Sequence, residues 1–380
     1  MKNIVNLGNV ATYINGYAFK PSDWAEDGTP IIRIQDLTGN SYQMNRFKGI
    51  VDSKYDVNSG DVLISWSASL GVYVWNRGNA VLNQHIFKVV FDKEEVDKDF
   101  FVFQIDNLLK RAANQAHGAT MRHLTKPVFD ALPFYLPDIK TQRLISSKLN
   151  LIVHLIEDHH EQLKKLDELI RSRFLERFGD PIINPFGYPI HKLGDYIENL
   201  TSGARGWARY YADDGNAWFI TIKNVKNCKI TVDNMQTINA PDNAEAKRTR
   251  VKEGDLLISI TADLGRTGVV TKEIANKGSY INQHLSCIRL NRYALEPLYV
   301  AYFMESEAGK RQFKKENQSA VKAGINFKSI QSLKLMVPPL VRQEEFLSFY
   351  KQVDKSKMAI QKSLDELETL KKSLMQTYFG

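Results

Sequence analysis

Two long stretches of the chain, residues 140–179 and 340–380, carry apolar side chains at alternating intervals of three and four residues. This spacing is the period of a coiled-coil helix, and neither stretch contains an internal proline or glycine. Each stretch follows a proline and ends at a glycine, which are usual helix boundaries. The pattern therefore predicts two helices of about 39 residues, each about 58 Å long.

The apolar positions line up as one seam on each predicted helix. The seams consist of Ile145, Leu149, Ile152, Ile156, Leu163, Leu166 and Ile170 on the first helix and Tyr350, Val353, Ile360, Leu364, Leu367 and Leu374 on the second. A helix with so long an interrupted seam is not expected to be stable alone in water, so we expect the two helices to pair with each other. The interrupting residues His159, Lys357 and Lys371 are compatible with fixing the register, facing another subunit or being solvated.

The chain also repeats itself. A shift of 201 positions superposes the two helical stretches without a gap and places Pro137 on Pro338 and Gln142 on Gln343. Two unrelated surface helices would not hold one register over the whole segment. The preceding segments share short motifs in the same order, which are Gly60–Ser65 with Gly254–Ser259 and Asn83-Gln84 with Asn282-Gln283. The loops between these motifs differ, so we expect two domains with a common frame and different loops.

These patterns predict an α/β (α+β) fold with two similar globular domains at residues 1–139 and 180–339. The domains are joined by the helices at 140–179 and 340–380, which pair as an antiparallel coiled coil with pseudo-two-fold symmetry. In the first domain we expect a strand over 30–37, repeated at 218–225 in the second, and a helix over about 98–116. Each Gly-Asp pair is expected to form a turn in which the carboxylate accepts a backbone hydrogen bond.

Composition adds a basic charge and little else. The 380 residues are 43% hydrophobic and 25% charged, which are globular values. The net charge of +8 makes a polyanionic partner plausible, although basicity alone is a weak indicator. The two cysteines, Cys228 and Cys287, lack metal-site spacing and are expected to be buried thiols in a reducing compartment. Because we find no signal-peptide pattern and no apolar stretch of about 18 residues, we expect a cytoplasmic protein.

Taken together, the duplicated motifs and helices resemble the specificity (S) subunit of a type I restriction-modification enzyme over essentially the whole chain. Each motif is weak alone, and their ordered repetition is specific. The resemblance implies two target recognition domains, each of which binds one half of a bipartite site in double-stranded DNA. It also implies that the paired helices set the spacing and bind two modification (methyltransferase) subunits, through which the restriction (motor-nuclease) subunits join. S-adenosylmethionine, ATP and Mg would be bound by those partners, and the chain would not be catalytic.

Residues that differ between the domains are the candidates for sequence-specific DNA contacts. Arginine and lysine can bind guanine or phosphate, glutamine and serine can bind base edges, and aromatic rings can pack on thymine methyl groups or sugars. The candidates are Arg33, Gln35, Lys48, Trp66, Ser67, Ser69 and Arg122 in the first domain and Arg205, Trp207, Arg209, Tyr210, Lys223, Asp263, Arg266 and Lys322 in the second.

Residues that recur in both domains are expected to do something else. Asn83, Gln84, Asn282 and Gln283 have side chains suited to adenine, but two different half-targets should not be recognised by the same residues. We expect these four to support the frame, bind phosphate or contact a partner. His85 and His284 are expected to be hydrogen-bonded polar residues rather than metal ligands, because no ligand cluster accompanies them.

Two other functions remain open. One is a self-sufficient DNA-modifying or DNA-cleaving enzyme, which activity of the isolated chain would reveal. Its nearest motifs are poor, since residues 184–188 lack the second proline of a methyltransferase motif and are expected to be a hinge, and residues 241–247 are expected to be an exposed loop. The other is a coiled-coil scaffold that binds proteins only, which an absence of DNA affinity would favour.

Overall fold

A computed structural model of the chain describes residues 3–41, 43–115, 125–203, 205–317 and 324–380. The chain divides into two compact units, of which the first is assembled from two parts of the sequence and the second is continuous. Unit 1 is Met1–His160 with Lys362–Gly380, and unit 2 is Glu161–Gln361. The division falls in the middle of both long helices, so that each unit contains one globular domain and half of each helix.

The elements of unit 1 are short strands with one longer helix. Its strands are β1 (Ile4–Asn6), β2 (Thr12–Asn15), β3 (Thr29–Ile32), β4 (Arg46–Phe47), β5 (Asp56–Val57), β6 (Val62–Ser65), β7 (Gly71–Val74), β8 (Ala80–Leu82), β9 (Ile86–Val90) and β10 (Pro133–Tyr135). Its helices are α1 (Ile34–Leu37), α2 (Lys98–Gln115) and α3 (Lys126–Asp130), and α4 (Ile139–Phe178) begins in this unit.

Unit 2 has a similar succession of elements. Its strands are β11 (Ile190–Lys192), β12 (Ile197–Ser202), β13 (Ala217–Ile220), β14 (Val225–Lys226), β15 (Lys229–Ile230), β16 (Gln236–Ile238), β17 (Leu256–Ser259), β18 (Thr267–Val269), β19 (Tyr280–Ile281), β20 (Leu285–Leu290) and β21 (Lys334–Met336). Its helices are α5 (Ala244–Thr249), α6 (Lys272–Asn276), α7 (Pro297–Glu305), α8 (Glu307–Glu316) and α9 (Phe327–Ser332), and α10 (Leu340–Phe379) begins here.

The two domains have the same sheet topology, which confirms the predicted common frame. An antiparallel sheet of order β2-β9-β6-β7 in unit 1 corresponds to β12-β20-β17-β18 in unit 2. A second sheet contains a parallel pair in each unit, β3 with β8 and β13 with β19. The first and last strands of each domain also pair, as β1-β10 and β11-β21. The domains differ at the sheet edge, where β5 is replaced in unit 2 by a single bridge between Arg250 and Tyr280.

The predicted long strand over residues 30–37 is wrong, and the same correction applies at 218–225. Strand β3 ends at Ile32 because the Asp36 carboxylate accepts a hydrogen bond from the Arg33 backbone at 2.9 Å, which starts the helical turn α1. In unit 2, Asn224 accepts the same bond from the Thr221 backbone at 2.9 Å. A polar residue three positions after the cap therefore ends the strand in both domains.

The long helices pair in both units, which confirms the predicted helical pair. In unit 1 the start of α4 packs on the end of α10, with Ile145, Leu149 and Phe379 in one cluster with Phe100 and Phe134 of the domain. In unit 2 the end of α4 packs on the start of α10, where Ile170, Phe174 and Phe178 meet Phe346 and Val353. The pairing is therefore antiparallel within each unit.

The seam residues are buried or half-buried along both helices, and their neighbours on the outer faces are exposed. Two of the three interrupting residues contact the facing helix. His159 Nε2 lies 3.0 Å from the Ser363 hydroxyl in unit 1, and the Lys357 ammonium pairs with Asp167 in unit 2. Polar contacts of this kind fix the register of a coiled coil. Among the described residues, no helix is both long and apolar enough to cross a membrane.

Candidate nucleic-acid interface

One hairpin loop in each domain begins with the same backbone conformation but has different side chains. We call these the readout loops, 66–70 between β6 and β7 and 260–266 between β17 and β18. The buried Ser65 hydroxyl donates to the Ser69 carbonyl oxygen at 2.6 Å, and the Ser259 hydroxyl donates to the Asp263 carbonyl oxygen. The loops share this hydrogen bond, so their backbones are held in the same way.

Both loops place an alanine in the left-handed region of backbone conformation. The φ angle is 57° at both Ala68 and Ala262. This conformation costs an alanine about 1 kcal/mol, so it persists only where the surroundings enforce it. Its occurrence at equivalent positions shows that the first part of both loops has the same backbone conformation.

The Asn-Gln segments support the readout loops from the side. The backbone N–H of Trp66 donates to the His85 carbonyl at 3.3 Å, and that of Ile260 donates to the His284 carbonyl at 3.0 Å. The Asn83 side chain accepts a hydrogen bond from the Gln84 N–H at 2.9 Å, so it is used within its own turn. Asn282 is used similarly and accepts the His284 N–H at 3.2 Å. Gln84 and Gln283 are half-buried beside these turns.

A glycine faces each Asn-Gln segment at a distance that excludes any side chain. A Cβ atom at Gly16 would lie 2.0 Å from the Asn83 carbonyl oxygen. A Cβ atom at Gly203 would lie 2.0 Å from the Asn282 carbonyl oxygen. The recurring motif thus includes a close backbone crossing that is the same in both domains.

The side chains on the shared loop backbone differ in size and charge. In unit 1, the Trp66 indole stacks on Phe87 at a ring distance of 5.7 Å and donates to Asn15 at 3.1 Å. Ser67 is 5% exposed, whereas Ser69 is exposed. In unit 2, the equivalent of Trp66 is Ile260, and Thr261 bonds to His284 Nδ1 at 2.6 Å.

The second readout loop also carries an exposed ion pair. The Arg266 guanidinium pairs with the Asp263 carboxylate, and their side chains are 39% and 63% exposed. An arginine that pairs with a carboxylate through one nitrogen keeps other N–H groups in its plane, which are the donors that a guanine edge accepts.

The remaining candidates of the first domain are partly used within the protein. Arg33 donates to Asp36 at 3.1 Å and to the Gln43 carbonyl at 3.1 Å, and its side chain is only 17% exposed. Gln35 is exposed beside it. Lys48 is 72% exposed and pairs with Asp27 at 3.0 Å. Arg33 therefore supports the loop around Gln43, and Gln35 and Lys48 remain accessible.

In the second domain, the basic candidates lie at the surface and one aromatic candidate does not. Arg205, Arg209 and Lys223 are exposed, and the Arg209 guanidinium lies 4.8 Å from the centre of the Tyr210 ring. Trp207 is 2% exposed and stacks on Phe219, while its indole N–H donates to Glu245 at 2.8 Å. This burial argues against our assignment of Trp207 as a DNA contact. Arg122 and Lys322 lie outside the described residues.

The Gly-Asp turns, the recurring histidines and the two cysteines have surroundings that test the expectations for each. The Asp61 and Asp255 carboxylates accept the backbone N–H of Asn58 and Lys252 at 2.9 and 2.8 Å, as expected for Gly-Asp turns. His284 is hydrogen-bonded, but His85 Nδ1 is buried without a partner among the described residues, so the expectation is wrong for His85. Burial raises the pKa of both cysteine thiols well above the usual range, which keeps them unreactive.

The look-alike segments of the second domain also have defined structures. Asn184, at φ 50°, closes a turn by accepting the Tyr188 N–H at 3.0 Å and donating to its carbonyl at 2.8 Å. The expected exposed loop over residues 241–247 is only partly correct, because helix α5 begins at Ala244. The Asn243 side chain starts that helix by accepting the Ala246 N–H at 2.8 Å.

Sequence reasoning missed two residues at the start of the long helices. Gln142 and Gln343 are 1% and 0% exposed, and each side-chain amide makes three hydrogen bonds. Their signal was available, since they superpose in the duplication and lie five residues after Pro137 and Pro338. A polar residue kept at a buried helix position in both copies indicates a specific partner.

The chain resembles known proteins along nearly its whole length. A family model described as "Type I restriction modification DNA specificity domain" matches residues 2–168 and 192–370. The specificity subunit of the type I restriction enzyme EcoBI from Escherichia coli is 20% identical, with coverage of 99% of this chain and 85% of that protein. The corresponding subunit of MjaVIII from Methanocaldococcus jannaschii is 18% identical, with coverage of 98% and 90%.

Solved structures with the same architecture are also known. The S subunit of a type I restriction-modification system from M. genitalium has a TM-score of 0.58 at 14% identity, over 100% of this chain and 96% of that one. A structure concerned with complex assembly and conformational transition of the type I system has a TM-score of 0.60 at 18% identity, over 99% and 97%. At these identities the likeness is evidence for the fold alone.

Proposed function

The chain belongs to the type I restriction-modification DNA specificity family, and we propose that each of its two recognition domains binds one half of a bipartite DNA target. Its role in such a system is that of the specificity subunit. The proposal that each domain binds a different half of the target rests on the pair of readout loops. They share a serine hydrogen bond and a left-handed alanine, but differ at Trp66 and Ile260 and at Ser69 and Asp263.

In this proposal, affinity and specificity come from different residues. Exposed cations such as Lys48, Arg205, Arg209 and Lys223 bind phosphate, which makes binding fall steeply as salt rises. The readout loops contact base edges in the major groove. The Asp263–Arg266 pair fits guanine, and Ser69 and Gln35 fit base edges with either donors or acceptors. The four Asn and Gln residues of the recurring motif act indirectly, by supporting the backbone beside the readout loops.

The long helices have two tasks in the proposal. They hold the two domains at a fixed separation, which sets the length of the unspecific spacer between half-targets. They also offer surface to the partner subunits, which we propose to be two methyltransferase subunits with the restriction subunits attached through them. S-adenosylmethionine, ATP and Mg are bound by those partners, and the methylation and cleavage chemistry is theirs.

The experiment exchanges one domain. Residues 190–336 are replaced by the equivalent segment of another family member, and the chain is expressed with its methyltransferase in cells whose methylated sites are then sequenced. We expect the unaltered chain to direct methylation to a bipartite sequence. The exchanged chain should change only one half of it and keep the other half and the spacer. A change in both halves, or an unsplit target, would contradict the proposal.

A further inference from the structure

A buried glutamine lies one turn into each long helix, at equivalent positions of the duplication. Gln142 follows Pro137 at the start of α4, and Gln343 follows Pro338 at the start of α10. Burying an amide costs free energy unless its hydrogen bonds are made, so an apolar residue would be the simpler choice for a purely packing role. The two glutamines therefore need a reason specific to their amide groups.

Each amide of this pair makes three hydrogen bonds with equivalent partners. Gln142 Nε2 donates to the Pro137 carbonyl at 2.8 Å and to the Glu95 carbonyl at 3.3 Å, and its Oε1 accepts the Asp97 N–H at 2.9 Å. In unit 2 the same three bonds recur. Gln343 Nε2 donates to the Pro338 and Ala294 carbonyls at 2.8 and 3.1 Å, and its Oε1 accepts the Glu296 N–H at 2.9 Å.

Of the three partners of each glutamine, one lies just before the long helix and two lie in the recognition domain. Asp97 directly precedes α2 and caps it, because its carboxylate accepts the Phe100 N–H at 2.9 Å. Glu296 directly precedes α7. One amide thus joins the first turn of the long helix to the first turn of the domain's own helix.

The second half of α2 also forms hydrogen bonds with the helical pair. Asn107 and Arg111 donate to the Phe379 carbonyl, the last residue of α10, at 3.2 and 3.1 Å. In unit 1 the residue before α2 is therefore bonded to the start of α4, and the second half of α2 is bonded to the end of α10. Apolar contacts do not specify direction, whereas hydrogen bonds do, so these bonds can fix an angle that packing alone would leave adjustable.

We propose that Gln142 and Gln343 are positioning residues that fix the direction of the helical pair relative to each recognition domain, and thereby the spacer length that the protein accepts. The inference rests on the proposed function and adds a role for two residues that need not touch DNA. Glutamine suits the position because it offers two donors and one acceptor. A glutamate would place a carboxylate oxygen against two carbonyl oxygens, and an apolar residue would leave the Asp97 or Glu296 N–H buried without its bond.

The test compares methylated sites in cells that express the methyltransferase with either the unaltered chain or Gln142→Met. The unaltered chain must first give a bipartite motif of one spacer length, and without that the proposed function itself fails. For Gln142→Met we expect the preference for that spacer over spacers one base pair longer or shorter to fall about ten-fold, because the loss of hydrogen bonds is of that size. The bases in both half-targets should not change.

The matched control is Gln104→Met. Gln104 is also buried, at 3% exposure, and its amide bonds to the Tyr135 backbone inside the domain. A merely structural role for Gln142 predicts that both variants lower methylation at all sites in proportion and keep the spacer preference, which would overturn the proposal. If Gln142→Met does not accumulate as folded protein, Gln142→Asn replaces it in the same spacer measurement. Asparagine keeps the amide group but is one methylene too short to make the same hydrogen bonds.

Discussion

Asp255 is the clearest case of a single side chain that holds the frame. It is 1% exposed, and the Arg289 guanidinium binds it with two hydrogen bonds of 2.9 and 2.7 Å. It also accepts the Lys252 backbone N–H, which closes the turn before β17. A carboxylate this deeply buried needs its charged partner, because removing one member of a buried pair leaves an uncompensated charge.

We therefore predict that Arg289→Met lowers the free energy of unfolding by about 3 kcal/mol or more. The matched control is Arg266→Met, which breaks an exposed pair and should cost about 1 kcal/mol or less. Urea unfolding of the purified variants measures both. Equal losses in the two variants would show that burial of Asp255 does not determine the cost.

At the level of single residues, the sequence predicted chemistry better than conformation. The Gly-Asp turns and the buried cysteines followed from residue type and neighbours. The burial of Trp207 did not, because its position in the core depends on Phe219 and Glu245, which are distant in sequence. Left-handed Ala68 and Ala262 could not be predicted either, since alanine has no local preference for that conformation.

The long helices are the elements whose stability depends most directly on the repeat of apolar residues. Leu149 of α4 is fully buried in the core cluster of unit 1, whereas Leu151, two residues further along the same helix, is 61% exposed. We predict that Leu149→Ala lowers the free energy of unfolding by about 2–5 kcal/mol. Leu151→Ala should change it by about 0.5 kcal/mol or less. Thermal or urea unfolding of the isolated chain measures the difference, and similar losses would contradict the assigned seam.

The start of α4 should also respond to pH. Hydrogen bonds from the Thr141 hydroxyl at 2.7 Å and its backbone N–H at 3.0 Å lower the pKa of the exposed Asp138 carboxyl. A carboxyl with a lowered folded-state pKa stabilises the fold above its unfolded pKa of about 3.9, and this stabilisation is lost as pH falls through the folded pKa.

We predict that the unaltered chain loses more stability between pH 5 and about pH 3 than Asp138→Asn does, because asparagine keeps the cap without titrating. Melting temperatures across that range measure the difference. Parallel curves for the two proteins would show that the Asp138 cap contributes no pH dependence.

Elements were predicted well where their period was long and poorly where a cap intervened. The helices α4 and α10 follow from a heptad pattern that continues for about forty residues despite three polar interruptions. The predicted strand at 30–37 failed because four residues of alternation are outweighed by one hydrogen bond from the Arg33 backbone N–H to the Asp36 carboxylate. Short strands of two to four residues leave no periodic signal, so β4, β5 and β14 could be found only through the partner strands that pair with them.

At the scale of the whole molecule, the duplication supplies the two similar domains that the proposed recognition of two unlike half-targets requires. Each unit combines one domain with half of each helix, so each is supported by its own part of the pair. The loops are free to diverge because the frame under them is held by residues that do not differ, such as Ser65 and Ser259. The sequence predicted this organisation from the repeat alone, but which loop residues contact bases depends on loop conformations that have no repeat.

The most direct test of the account lengthens both helices together. One heptad is inserted after His160 and another after Gln361, at the boundaries of the two units, so that the seam stays in phase and each unit stays intact. A heptad adds about 10.5 Å of helix, which corresponds to about three base pairs of DNA. Sequencing of methylated sites should then show the original half-targets separated by a spacer about three base pairs longer. Methylation at the original spacer by the lengthened chain would contradict the claim that the paired helices set the distance between the two recognition domains.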